Sequence, residues 1–160
     1  MLELDSIDRR LLDLLQTDSA QTNQALAARA NISPATCLRR VRRLVESGVI
    51  ERQIAIVSPA ALGAGLTAIL EVTLDIQSAE ALAAFESQIT SEACVQQCYR
   101  VATGPDFVLV VYVPDMAAYH DFVHRALTAA AHVRNVRAFF VVKRSKFEPR
   151  LPLPPTPPRT

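Results

Sequence analysis

Residues 33–50 read SPATCLRRVRRLVESGVI, and their pattern decides how the first third of the chain is read. Ser33 suits an N-cap, because its hydroxyl can accept from a free backbone N–H of the first helical turn. Pro34 suits the first helical position, where a missing N–H is no loss. Cys37, Val41, Leu44 and Val45 recur at helical spacing and form one apolar stripe, and Gly48 marks the end. Arg39, Arg40, Arg42 and Arg43 crowd the rest of the cylinder. A short helix with a buried seam and an arginine-covered face has the shape and charge of a major-groove reader. A solvated surface helix with snorkelling arginines is the plain alternative.

The preceding residues favour the first reading. SIDRRLLDLLQ (6–16) carries Ile7, Leu11, Leu12, Leu14 and Leu15 at helical spacing, with Asp8 in its first turn. TNQALAARANI (22–32) predicts a second short helix, capped by Thr22, whose packing surface is kept small by Ala25, Leu26, Ala28 and Ala30. Asn31 tolerates the left-handed conformation that ends such a helix, and Ser33 caps the next one almost at once. Small residues, a tight turn and an arginine-rich third helix together predict a helix-turn-helix over residues 1–50.

Composition bounds the partners. The chain has 160 residues, half of them hydrophobic, which is enough for a core without disulfides or metals. Net charge is only +1, so any nucleic-acid affinity must come from local clustering; residues 39–43 supply it, with four arginines and no acid. Cys37, Cys94 and Cys98 have no zinc-finger spacing and read as reduced structural thiols of a cytoplasmic protein. No signal peptide opens the chain, and no apolar run reaches the ~18 residues of a membrane span, so no membrane partner is expected.

Residues 51–64 follow as a short strand around Ile54 and Ile56, then a Ser58-Pro59 break, and read as a hinge between domains. Beyond it, LTAILEVTL (66–74) alternates as a half-buried strand, with Leu66, Ala68, Leu70, Val72 and Leu74 on one face. Residues 78–90 form a helix with Leu82, Phe85 and Ile89 inward, and 94–103 a second strand. FVLVVYV (107–113) is apolar enough to be a central strand. Residues 115–129 return to helix, with Met116, Tyr119, Val123, Ala126 and Leu127 on one face, and 133–143 form a last strand around Val136, Phe139 and Val141. The order βαββαβ is ferredoxin-like, so the chain is of the α+β class: a winged-helix-like helix-turn-helix domain, then a βαββαβ domain over residues 65–148. Its sheet has helices on one face only. A second copy would cover the other, which predicts a homodimer. The tail, residues 149–160, holds six prolines and is expected to be disordered or polyproline II, with Leu151 and Leu153 docking locally.

With both halves in view the chain resembles the Lrp/AsnC (leucine-responsive, or feast/famine) family of transcriptional regulators. The resemblance rests on LDSIDRRLLDLLQTDS near the start, ALAARANISPATCLRRVRRLVESGVI, SPAALG in the hinge, CYRVATGPDF at the second turn and the late FFVV strand, and it covers residues 2–148. It implies a DNA-binding domain joined to a ligand-sensing domain that dimerises through its sheet, often with four dimers in an octamer. It also implies a small effector, usually an amino acid, bound near the turn Thr103, Gly104, Pro105, Asp106 and Phe107. The residues suit that role: Gly104 allows close approach of the backbone, exposed N–H groups could receive a carboxylate, and Asp106 an ammonium group. A plain tight turn, with Asp106 bonding backbone, is the alternative. The family's turn has two residues between its Gly and Asp where this chain has Pro105 alone. Its hinge carries a Gly-aromatic pair where this chain has Arg52-Gln53.

For the DNA face the expected residues are Ser33, Ala35, Thr36, Arg39, Arg40, Arg42 and Arg43. Arg40 and Arg43, three apart on one face, are candidates for bidentate pairing with guanine; Thr36 could bond a base or press its methyl on thymine; Arg39 and Arg42 suit phosphates. A dimer implies half-sites a whole number of turns apart. His120 and His124 are four apart but lack a third ligand, so no metal and no cofactor other than the effector is expected. No catalytic cluster stands out, and the reading is not an enzyme. An effector-independent architectural DNA binder is the rival.

Overall fold

The structure, a computed structural model, describes residues 3–63, 65–128 and 132–153. The chain divides into two units: one holds residues up to Ile56 together with the tail from Lys146, the other Val57–Ser145.

The first unit contains three helices, α1 (Ser6–Thr17), α2 (Asn23–Ala30) and α3 (Pro34–Glu46). Each begins on a side-chain cap. Asp5 and Asp8 form a reciprocal capping box on α1, Thr22 accepts from the Ala25 amide, and Ser33 accepts from the Thr36 amide. Asn31 (φ 60°) closes α2 in the left-handed region, and Asn23 Nδ2 donates to the Pro34 carbonyl at 2.9 Å, tying the start of α2 to the start of α3. Leu11, Leu26, Ala27, Ala30 and Cys37 form the apolar centre. With alanine at half the positions of α2, the helices pack closely but bury little apolar area. Val45, expected on the buried stripe, is half exposed, because the interior side of α3 is already filled by Cys37 and Leu44.

The expected hinge strand is corrected. Residues 51–58 hold no strand; Ile54, Ile56 and Val57 are exposed, and no neighbouring strand among the described residues offers the ladder an extended segment needs. The start of the tail lies on α1, in keeping with the local docking expected at Leu151, but it is held by backbone and not by the leucine side chain, which is exposed. Gln16 clamps the Leu151 backbone from both sides, donating to its carbonyl at 3.1 Å and accepting from its amide at 2.7 Å, and Arg150 pairs with Asp13. The expected disorder beyond residue 153, like the expected end of the last helix at residue 129, lies outside the described residues.

In the second unit a 3-10 turn (Pro59–Leu62) leads to β1 (Leu66–Leu74), α4 (Ala79–Thr90), β2 (Val95–Arg100), β3 (Phe107–Val113), α5 (Met116–Phe122) with a wider π-helical continuation (Val123–Thr128), and β4 (Val133–Phe140). The strands form one antiparallel sheet in the order β2-β3-β1-β4, the ferredoxin-like arrangement. On one face, Ala68, Leu70, Val72 and Leu74 of β1 and Phe107, Leu109, Val111 and Val113 of β3 pack under Leu82, Phe85, Ile89, Tyr119 and Phe122. Phe122 replaces the expected Met116, which is exposed. The helical period changes at Val123 and turns Phe122, Ala126 and Leu127 inward together. The opposite face is open: Ile69 lies between Val110 and Phe139, and Arg137 pairs with Glu71 and sits 5.4 Å from the centre of the Phe139 ring.

Candidate nucleic-acid interface and effector turn

The four arginines of α3 divide into two pairs facing opposite ways. Arg40 turns back to α1, its Nη1 bridging Asp5 Oδ2 at 2.7 Å and Asp8 Oδ1 at 2.8 Å. Arg43 reaches the second oxygen of the same Asp8 at 2.5 Å. The Asp8 side chain is 1% exposed, and it is the buried charged residue among those described. Both carboxylates also close the α1 capping box, so the cap, the ion pairs and the α1–α3 register are one network. Its hydrogen bonds to Asp5, and then to Asp8, push the Arg40 guanidinium pKa further up. Partial burial pushes the Asp5 carboxyl up, but the Asp8 amide and the Arg40 guanidinium outweigh it and hold it below the ordinary carboxylate value.

The expectation that Arg40 and Arg43 share an outward face is thereby corrected. They do lie on one face, and that face meets α1; Arg40 is 17% exposed. The sequence placed Asp8 in the first turn of α1, but neither its capping box with Asp5 nor the partnership of the two carboxylates with arginines 32 and 35 residues away was legible there.

The outward face of α3 carries Ala35, Leu38, Arg39 and Arg42, all exposed. Their spacing, i, i+3, i+4 and i+7, is that of one helical face. Neither Arg39 nor Arg42 makes an ion pair among the described residues. At the N-terminal end Ser33 Oγ donates to Thr36 Oγ1 at 2.8 Å, so two hydroxyls stand together beside the first free amides of the helix. Leu38 was absent from the sequence-based set, because an exposed leucine has no polar signature.

The second candidate site is the turn between β2 and β3. It is pinned to β1: the Asp106 amide donates to Val72 O at 2.9 Å, and Asp106 Oδ2 accepts from the Leu74 amide at 2.7 Å. The Asp106 carboxylate thus serves the backbone of a neighbouring strand. Phe107 is fully buried, its ring 4.9 Å from that of Phe85, so it belongs to the core and presents no surface to a ligand. Thr103 and Gly104 are exposed, Pro105 half-buried. Gly104 sits at φ 91° with open space around it, a conformation costly for any side chain. Beside the same end of the sheet, Leu74, Ile76, Ala81, Phe85, Gln88 and His132 border an open cavity of about 480 Å³.

The remaining candidates carry no chemistry. Cys37, Cys94 and Cys98 are unpaired, and burial pushes all three thiols up, away from the reactive thiolate. His120 and His124 are both exposed, and no metal-ligating cluster occurs among the described residues. No helix among them is long and apolar enough to cross a membrane.

Comparison with known proteins places both units. Residues 4–51 match the family described as winged helix-turn-helix DNA-binding, and residues 67–151 the Lrp/AsnC ligand binding domain. The chain is 39% identical over 145 residues to the leucine-responsive regulatory protein of Rhizobium meliloti, covering 91% of this chain and 93% of that one. It is 34% identical over 149 residues to the leucine-responsive regulatory protein of Escherichia coli K12, covering 93% and 91%. Among solved structures it resembles an AsnC family transcriptional regulator from Agrobacterium tumefaciens (TM-score 0.85, 31% identity, 93% and 97% covered). It also resembles a transcriptional regulator from Neisseria meningitidis solved as an L-Met complex (TM-score 0.85, 29% identity, 94% and 97% covered). A winged helix-turn-helix match over residues 4–51 followed by a ligand-binding-domain match over residues 67–151, with relatives aligned along nearly the whole chain, carries the conclusion that the chain belongs to the Lrp/AsnC family of transcriptional regulators.

Proposed function

We propose that this regulator binds specific duplex DNA through the outward face of α3, as a homo-oligomer held by the open face of its sheet, in the cytoplasm, and that an amino acid modulates the binding. The observation that carries the reading is the division of the arginines. Two pair with Asp5 and Asp8 of α1, and two lie exposed on the opposite face with no ion pair among the described residues, which suits that face to a duplex. In this reading Ser33 and Thr36 address the duplex at the helix N-terminus, where free amides favour phosphate. Arg39 and Arg42 take phosphates or guanines, and Ala35 allows close approach. Arg40 and Arg43 act through Asp8, as positioning residues. The half-apolar sheet face around Ile69, Val110 and Phe139 suits a second copy. Any assembly of dimers, up to the octamer, builds on that contact.

For the effector, the exposed amides at Thr103 and Gly104 are the groups suited to a carboxylate, and the L-Met complex of the N. meningitidis relative supports an amino acid. Asp106 holds the turn, with Pro105 stiffening it. A second reading, an architectural DNA binder without an effector, is favoured by one specific observation: the Asp106 oxygen Oδ2 is already taken by Leu74.

Fluorescence anisotropy tests these readings, using the duplex upstream of the coding region and a scrambled one, with and without L-methionine and then a pooled amino-acid mixture. Tight binding to the native duplex that shifts with an amino acid is the expected result. Equal, salt-labile binding to both duplexes, unmoved by any amino acid, would establish the architectural reading. Absence of binding would end both.

A further inference from the structure

We propose that Leu38 reads sequence, by packing its side chain on the 5-methyl group of a thymine in the major groove. The inference rests on the reading that α3 enters that groove. Leu38 is 52% exposed, yet it sits inside a charged face, with Arg39 beside it and Ala35 and Arg42 one turn away on either side. A single exposed leucine is ordinary on a protein surface. This one differs from the other exposed large apolar residue of the helix, Val45, which lies two turns nearer the C-terminus. In helix-turn-helix docking the N-terminal residues of the third helix reach the base edges.

The chemistry narrows the contact to one group. In the major groove the base edges present hydrogen-bond donors and acceptors, together with a single apolar feature, the thymine methyl. Leu38 can neither donate nor accept, so it discriminates only by covering that methyl. Ala35, one turn earlier on the same face, leaves room for the base pair to approach. Arg39 and Arg42, making no ion pair among the described residues, are available to the flanking phosphates that would hold the leucine in register. The specificity of the site is then mixed: charge fixes the position, and a methyl group decides the base.

The test removes the methyl without changing any hydrogen bond. A duplex is selected from a random-sequence library with the full chain, and each thymine in it is replaced in turn by deoxyuridine. One thymine per half-site is expected to show about a fourfold loss of affinity on replacement, the equivalent of one buried methyl group. The same replacement should leave Leu38→Ala unchanged, while Leu38→Met keeps the sensitivity and Val45→Ala retains the wild-type profile. Leu38 is half exposed, so these variants should melt with the wild type, and a thermal melt checks it. A deoxyuridine profile that is flat, or one that persists in Leu38→Ala, overturns the assignment to Leu38 while leaving DNA binding intact. Failure to select any duplex over random sequence overturns the groove-binding reading itself, and this inference with it.

Discussion

The helical unit keeps a carboxylate, Asp8, in its interior, held by two guanidiniums; the buried side chains of the sheet unit are aliphatic and aromatic, with Phe85 against Phe107. Three short helices with an alanine-rich middle member have little apolar area to bury, and slim helices can slide or rotate against one another. A buried ion network adds little net stability, because desolvation offsets most of its Coulomb energy, but it holds α3 at one rotation about its axis. The sheet unit needs no such device. The two-residue period of a strand already assigns every side chain to a face, and a one-residue slip would turn the whole core outward. The lesson is that a unit whose function depends on which way a helix faces uses charge to set that direction, whereas a sheet receives it from its pleat.

Phe107→Ala should break the comparison hardest. Removing a fully buried ring from the sheet core should cost about 4 kcal/mol. Hydrogen exchange should show the loss in β1 and β3 amides and leave α1 protected; equal loss in both units would mean that they share one core. Asp8→Ala should come next, at about 3 kcal/mol, with the loss confined to the helical unit, because it strips two arginines of their common partner. A thermal melt showing no change would mean the network orients nothing.

Arg39→Ala and Arg42→Ala sharpen the contrast within α3. Each should leave the melting temperature unchanged and flatten the salt dependence of DNA binding by about one unit of slope. Arg40→Ala should instead lower the stability of the helical unit, and its DNA affinity should fall along with it. An Arg40→Ala protein that is stable yet blind to sequence would return Arg40 to the base-reading role.

The smallest expected effect is acid sensitivity. Asp5 has a folded pKa held below its ordinary value of 3.8, so its contribution to stability is complete above that pH and is lost as pH falls through the lowered value. Because its side chain is 43% exposed, the effect is small. Melts of the helical unit at about pH 5 and about pH 3 should differ more for the wild type than for Asp5→Asn; equal differences would remove Asp5 from the network.

Local signals carried most of the fold. Ser33, Thr22 and Asn31 announced helix ends by their own chemistry, and the alternation in LTAILEVTL placed β1 side chains on the correct face. Legibility ended where a residue's partner is distant in sequence. Residues 51–58 have strand chemistry, but a strand exists only with a neighbour to pair with. Phe107 had two readings, first residue of the central strand and last residue of the effector turn, and its packing on Phe85 decides for the first, while the proline-rich tail revealed nothing of Gln16, which holds the backbone of Leu151 and not its side chain.

The sequence by itself determined that the chain has a capped helix-turn-helix, a βαββαβ sheet and an arginine cluster on the third helix, because caps, periods and turn residues act over a few positions. Only the tertiary structure decided which arginines face outward, that Asp106 braces its own turn, and that Leu38 stands among the exposed charges. Those outcomes depend on a carboxylate or an amide brought within 3 Å by the packing of segments more than 30 residues apart, and helical spacing alone leaves both sides of a cylinder equally open to charge.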